Sequence, residues 1–89
     1  MKKRMAWADA YRAWVEQNPL RRWRKERKLP LMAVATGVGV NLFTVQTWEH
    51  GANRPRPVNF EKMAEFMGVP VEELQAQWDA WEGRRPGVK

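Results

Sequence analysis

Leu31–Gly51, LMAVATGVGVNLFTVQTWEHG, is the stretch that decides the fold. Its first part predicts a short helix with Val34 and Ala35 turned inward, and GVGVN predicts a tight turn. Asn41 is placed to cap a second helix from about Leu42 to His50, and Gly51 to end it. In that second helix Val45 and Trp48 stand three apart on the buried side. Ala35 is small where two closely crossing helices need a small residue, and Gly39 lets the chain turn without a Cβ clash. The opposite face of the second helix is then left free, and a helix of this size fits a DNA major groove.

Working outward, residues 4 to 17 carry Trp7, Tyr11, Trp14 and Val15 at three- and four-residue spacings, an amphipathic helical stripe. Asn18-Pro19 stops it and starts another helix, from about Pro19 to Lys28, with Leu20 and Trp23 inward. The other face of that helix is expected to be a row of bases: Arg21, Arg22, Arg24, Lys25, Arg27 and Lys28. Downstream, ANRPRPVN predicts a loop. A helix from about Phe60 to Met67 buries Phe60, Met63, Ala64 and Met67 and ends at Gly68. The last helix, roughly residues 70 to 82, aligns Val71, Leu74, Trp78 and Trp81. No alternating strand pattern is present. The fold class is therefore all-α, a five-helix domain built on a helix-turn-helix with an extra N-terminal helix. Residues 1–18 form an N-terminal arm, 19–82 the domain and 83–89, GRRPGVK, a flexible basic tail.

The chain has 89 residues, enough for one core and no separate catalytic domain. It has no cysteine and one histidine, so no disulfide framework, thiolate metal site or histidine cluster is available. No cofactor or metal is expected. No apolar run approaches the ~20 residues of a membrane span, and the basic start leads into no signal-type apolar segment, so no membrane partner is expected and a cytoplasmic protein is. The net charge of +6 is unevenly spread. Residues 1 to 30 hold ten Lys or Arg against Asp9, Glu16 and Glu26, whereas residues 61 to 89 are mildly acidic. A basic end of this kind suits a polyanion.

In order along the chain, LRRWRKERKL, VA, GV, VQTWEHG, RP and FEKMAEFMGVPVEEL resemble the lambdoid phage repressor and Cro type of helix-turn-helix domain, over about Leu20 to Leu74. The resemblance implies that Asn41, Leu42, Phe43, Gln46 and Thr47 face the groove and read bases, with either Gln46 paired to an adenine edge or Thr47 to one of several bases. It implies phosphate contacts from Thr44 and from basic or polar positions Arg21, Arg24, Asn53, Arg54 and Arg56. It also implies a structural salt bridge, partly buried, between Arg24 and Glu49. Pro30 and Leu31 depart from the family's usual polar cap followed by Gln, which removes a common phosphate contact. Leu42 and Phe43 depart from its usual polar readers; they fit a thymine methyl or a protein surface equally.

The aromatic residues at the two ends, Trp7 and Trp14 on the first helix and Trp78 and Trp81 on the last, either extend the core or form a dimer and partner surface. The preferred dimer is two-fold symmetric through the last helix, because paired half-sites lie ~34 Å apart. The function expected is a double-stranded-DNA-binding transcriptional regulator, a dimeric repressor and not an enzyme: the acidic helix around Glu72, Glu73, Asp79 and Glu82 has no nucleophile or histidine near it in sequence, and no phosphate-binding loop occurs. The alternative is an antitoxin or small phage-encoded protein of the same fold, whose main role is to bind a toxin or polymerase component. RNA binding ranks third, for want of a stacking sheet or an RNA-binding signature.

Overall fold

The computed structural model describes residues 2–87, with side chains from Trp7 onward. Six helices follow in order: α1 (Lys2–Glu16), α2 (Pro19–Glu26), α3 (Leu31–Val38), α4 (Leu42–Glu49), α5 (Pro57–Met67) and α6 (Val71–Gly83). No strand occurs among the described residues.

Local chemistry sets the boundaries. Asn18 caps α2, its side chain accepting from the Arg21 amide at 2.9 Å, and Pro19 occupies the first turn, where no amide hydrogen is needed. The helix stops earlier than the charge row suggests because Lys28 turns left-handed, φ 57°. The Lys28 amide then bonds the Lys25 carbonyl at 3.0 Å and the Leu29 amide the Arg24 carbonyl at 3.0 Å, a Schellman closure with lysine where glycine is usual. In the turn that the sequence singled out, Gly39 has φ 90°, and the amides of Gly39 and Val40 both close on the Ala35 carbonyl. Helix α5 begins at Pro57, three residues before the expected start at Phe60, because proline at the first position presets the helical φ.

A single core joins Trp14, Val15, Leu20, Val34, Ala35, Val38, Val45, Trp48, Phe60, Met63, Ala64, Leu74, Trp78 and Trp81. Trp23 is only half-buried, edge-on to Phe66 with ring centroids 5.5 Å apart. The extra N-terminal helix is fastened to the last one by two indoles. Trp14 and Trp81 stack 4.0 Å apart at 2°. Each ring N–H donates to the other residue's carbonyl, at 2.6 Å in both directions. Trp78 completes the cluster edge-on to Phe60 and to Trp81.

This packing corrects the expected dimer surface. Trp14, Trp78 and Trp81 are at most 5% exposed within one chain, so their apolar area is already removed from water and is not offered to a second copy. Trp7 alone of the four is exposed, at 46%; it stacks on Tyr11 and its ring N–H donates to the Gly87 carbonyl at 3.1 Å. The segment after α6 also differs from a free tail. The Arg85 guanidinium lies over the Trp14 ring, 4.9 Å from its centroid, and donates to the Gly51 carbonyl at 2.9 Å. Met1 of the arm and Val88 and Lys89 of the tail lie outside the described residues.

The tryptophans of α6 differ in one respect that a substitution exposes. The Trp81 ring N–H has a carbonyl acceptor, whereas the buried Trp78 ring N–H has no partner among the described residues. Trp81→Phe removes a formed hydrogen bond, although the Trp14 carbonyl keeps the Gln17 amide at 3.0 Å, and Trp78→Phe removes a donor that was unsatisfied already. In urea unfolding followed by circular dichroism, Trp81→Phe is expected to lose about 0.5–1.5 kcal/mol more than Trp78→Phe.

Candidate nucleic-acid interface

The site is built on α4. Asn41 caps it: its Oδ1 accepts from the Thr44 amide at 2.8 Å and from the Thr44 hydroxyl at 3.0 Å. Helices α3 and α4 meet at 108°, within the range that a helix-turn-helix adopts. Val45, Trp48 and Glu49 turn into the core. Phe43, 69% exposed, and the exposed Gln46 turn to solvent, with Leu42, Thr44 and Thr47 half-buried between. The Thr47 hydroxyl donates to the Thr44 carbonyl at 2.7 Å, so both threonine hydrogens are engaged within the helix, and the oxygens keep acceptor capacity.

Beside the exposed face lies a concavity of about 390 Å³, lined by Phe43, Thr44, Thr47, Trp48, Asn53, Arg54, Arg56 and Asn59. Six of the sequence-predicted positions therefore meet at one place. Leu42 and Gln46 on the same helix, and Asn41 at its cap, do not line that concavity.

The predicted Arg24–Glu49 pair is present and more buried than expected. Glu49 is 0% exposed and Arg24 8%. The guanidinium grips the carboxylate in a fork, Nε to Oε2 at 2.8 Å and Nη2 to Oε1 at 3.0 Å, while Nη1 donates to the Leu29 carbonyl at 2.9 Å. Arg21 adds a second cation, with Nη1 3.3 Å from Glu49 Oε1 and Nη2 3.0 Å from Glu16 Oε2. The bond from Arg21, and then that from Lys25, hold the Glu16 carboxyl below the usual carboxylate range. One network thus ties α1, α2 and α4 together.

Three of the cations expected at phosphate are held in ion pairs within the chain. Arg21 and Arg24 are committed to Glu16 and Glu49. Arg24 lies on the inward face, four residues after the fully buried Leu20, so the row of bases on α2 is broken. Arg54 is latched to α6, with Nη1 2.6 Å from Glu82 and Nη2 2.8 Å from Asp79, and its guanidinium lies over the Phe60 ring. The Arg56 side chain is exposed and makes no hydrogen bond or ion pair among the described residues, which leaves it the available cation of the loop.

Asn59 lines the concavity and was not among the sequence candidates. Pro57 was the signal for it: reading that proline as a first helical residue puts Asn59 in the first turn of α5, next to the loop. Tyr11 and Arg85 were missed as well. The Tyr11 hydroxyl donates to the His50 carbonyl at 2.9 Å, across 39 residues, a contact for which the sequence holds no local signal.

A short helix with one face in the core and the other in solvent, held across its predecessor by a tight turn, defines a helix-turn-helix protein. A family described as a helix-turn-helix domain matches residues 19–77, and the chain belongs to that family, in its repressor and Cro type. It is similar to the cryptic phage CTXphi transcriptional repressor RstR of Vibrio cholerae, 42% identical over 57 residues, which are 64% of this chain and 51% of that protein. The chain thus spans about half the length of that relative. No solved structure matches significantly. No helix among the described residues is long and apolar enough to cross a membrane.

Removing one partner of the central pair tests its burial. Glu49→Ala strands the buried Arg24 charge and is expected to cost about 3–5 kcal/mol in urea unfolding. Glu16→Ala, at an exposed pair, is expected to cost no more than about 1 kcal/mol.

Proposed function

We propose that this protein is a sequence-specific double-stranded-DNA-binding transcriptional regulator, a repressor that acts as a dimer from the cytoplasm. The observation that carries the reading is the outward face of α4: Phe43 and Gln46 are exposed, and the available Arg56 stands at the rim of the same concavity as Phe43. Polar and apolar groups on such a face suit base edges and thymine methyls, and a loop cation suits the phosphate backbone. The likeness to a phage transcriptional repressor supports the same reading.

In this reading Gln46 and Phe43 read bases, Thr47 accepts from a base amino group, and Asn53, Arg56 and Asn59 contact phosphate. Arg54 acts through structure, by holding the loop against α6. The dimer contact lies elsewhere than on the core tryptophans. No catalytic role, cofactor or metal is proposed.

Selection of duplexes from a random pool tests the reading first. A palindrome with half-sites about one helical turn apart is expected. Salt-sensitive binding without a motif would instead favour a protein partner, such as a toxin or a polymerase component, seated on Leu42 and Phe43. With a site in hand, Gln46→Ala is expected to relax preference at one base pair and cost roughly 1–3 kcal/mol. Arg56→Ala is expected to weaken all duplexes alike and to lower the salt slope by about one, whereas Arg54→Ala should show mainly in thermal stability.

A further inference from the structure

At and just after the C-terminal end of α4, the carbonyls of Trp48, His50 and Gly51 accept from three side chains that lie outside the matched span 19–77. The Asn18 side-chain amide donates to the Trp48 carbonyl at 3.3 Å. The Tyr11 hydroxyl donates to the His50 carbonyl at 2.9 Å, and Arg85 Nη2 to the Gly51 carbonyl at 2.9 Å. Arg85 is itself seated on the Trp14 ring, which stacks on Trp81. Gly51 closes tightly against this assembly: it has φ +78°, and a Cβ there would stand 2.5 Å from the far edge of the Trp14 ring. Elements from both ends of the chain therefore converge on one helix terminus.

The chemistry of that terminus explains what they do. The last carbonyls of a helix have no partners within it and carry the negative end of its dipole, so external donors, and a cation above all, stabilise them. Helix α4 has only eight residues, too few to be stable alone, and its direction is set by what it touches. The Arg24 fork fixes it at Glu49. The donors from α1 and from the segment after α6 fix the turn that follows. The first turn, with Phe43 and Thr44, is left to face the groove.

We infer that Tyr11, Asn18 and Arg85 are positioning residues for DNA recognition: they form a clamp, added at both ends of the family domain, that sets the angle at which α4 meets the groove. The inference rests on the DNA-binding reading above. Hydrogen bonds to base edges weaken steeply with misalignment, whereas attraction to phosphate does not. Loosening the clamp therefore lowers specific binding more than non-specific binding, and a role in stability alone does not alter that ratio.

The test compares the full chain with Tyr11→Phe, Arg85→Ala and Arg85→Lys, at a temperature where circular dichroism shows all four folded. Two readouts are taken: affinity for the duplex that the unaltered chain enriches, against poly(dI-dC), and hydrogen exchange at the Ala52 and Asn53 amides, which bond the Thr47 carbonyl. Tyr11→Phe and Arg85→Ala are each expected to lower affinity for the enriched duplex about fivefold, to change affinity for poly(dI-dC) less than about twofold, and to speed exchange at both amides. Arg85→Lys keeps a cationic donor and should largely restore both readouts. Unchanged affinity for the enriched duplex in both variants, with only a lowered Tm, overturns the inference. If the unaltered chain enriches no motif, the DNA reading fails by itself. Exchange then decides the clamp: faster exchange in both variants upholds it, and unchanged exchange overturns it.

Discussion

The carboxylate of Glu49 is the constraint on which the rest of the site depends. It is fully buried, and a buried anion is tolerated only when donors saturate it. Arg24 meets it through a two-bond fork and Arg21 from the side. Such a pair adds little net stability, because desolvation of both ions offsets much of their attraction. Its consequence is geometric: the planar fork has few good arrangements, so α4 is held to α2 in one register. With the inward face of α4 fixed in this way, Phe43 and Gln46 point to solvent.

A second constraint is aromatic. The stacked Trp14 and Trp81, each donating to the other's backbone, draw the N-terminal helix and the last helix to the same end of the molecule. That junction supplies the ring on which Arg85 rests and the wall that Gly51 closes against. The segments outside the family domain are therefore joined physically to the helix that the domain presents, through polar bonds to backbone carbonyls and an aromatic floor.

Charge shows where reading from sequence reaches its limit. The first thirty residues look strongly basic, yet Arg12, Arg21, Arg24, Lys25 and Arg27 each have an acidic neighbour within 4 Å. Two of the partners, Glu16 and Glu49, come from other helices, and Arg54 finds Asp79 and Glu82 on α6. Formal charge counts cations along a chain. What a polyanion meets is the set left after folding has paired them, and in the loop after α4 that is Arg56.

The order and type of the helices were legible in the residues, because each depends on near neighbours: the three- and four-residue apolar spacing, Asn18 and Asn41 as caps, and Gly39 and Gly51 as left-handed turns. The inward positions Leu20, Val34, Ala35, Val45, Phe60, Met63 and Leu74 follow from the same periodicity. The Arg24–Glu49 pair was foreseen through family resemblance, since nothing in spacing links residues 25 positions apart. Tertiary structure alone decided that Trp14, Trp78 and Trp81 fill the core of one chain, that Arg54 is latched while Arg56 is available, and that Tyr11 and Arg85 reach the end of α4. The reason is physical: a periodic pattern tells which face of a helix is buried, but the partner a side chain meets there depends on how distant helices cross, and no local preference encodes that crossing.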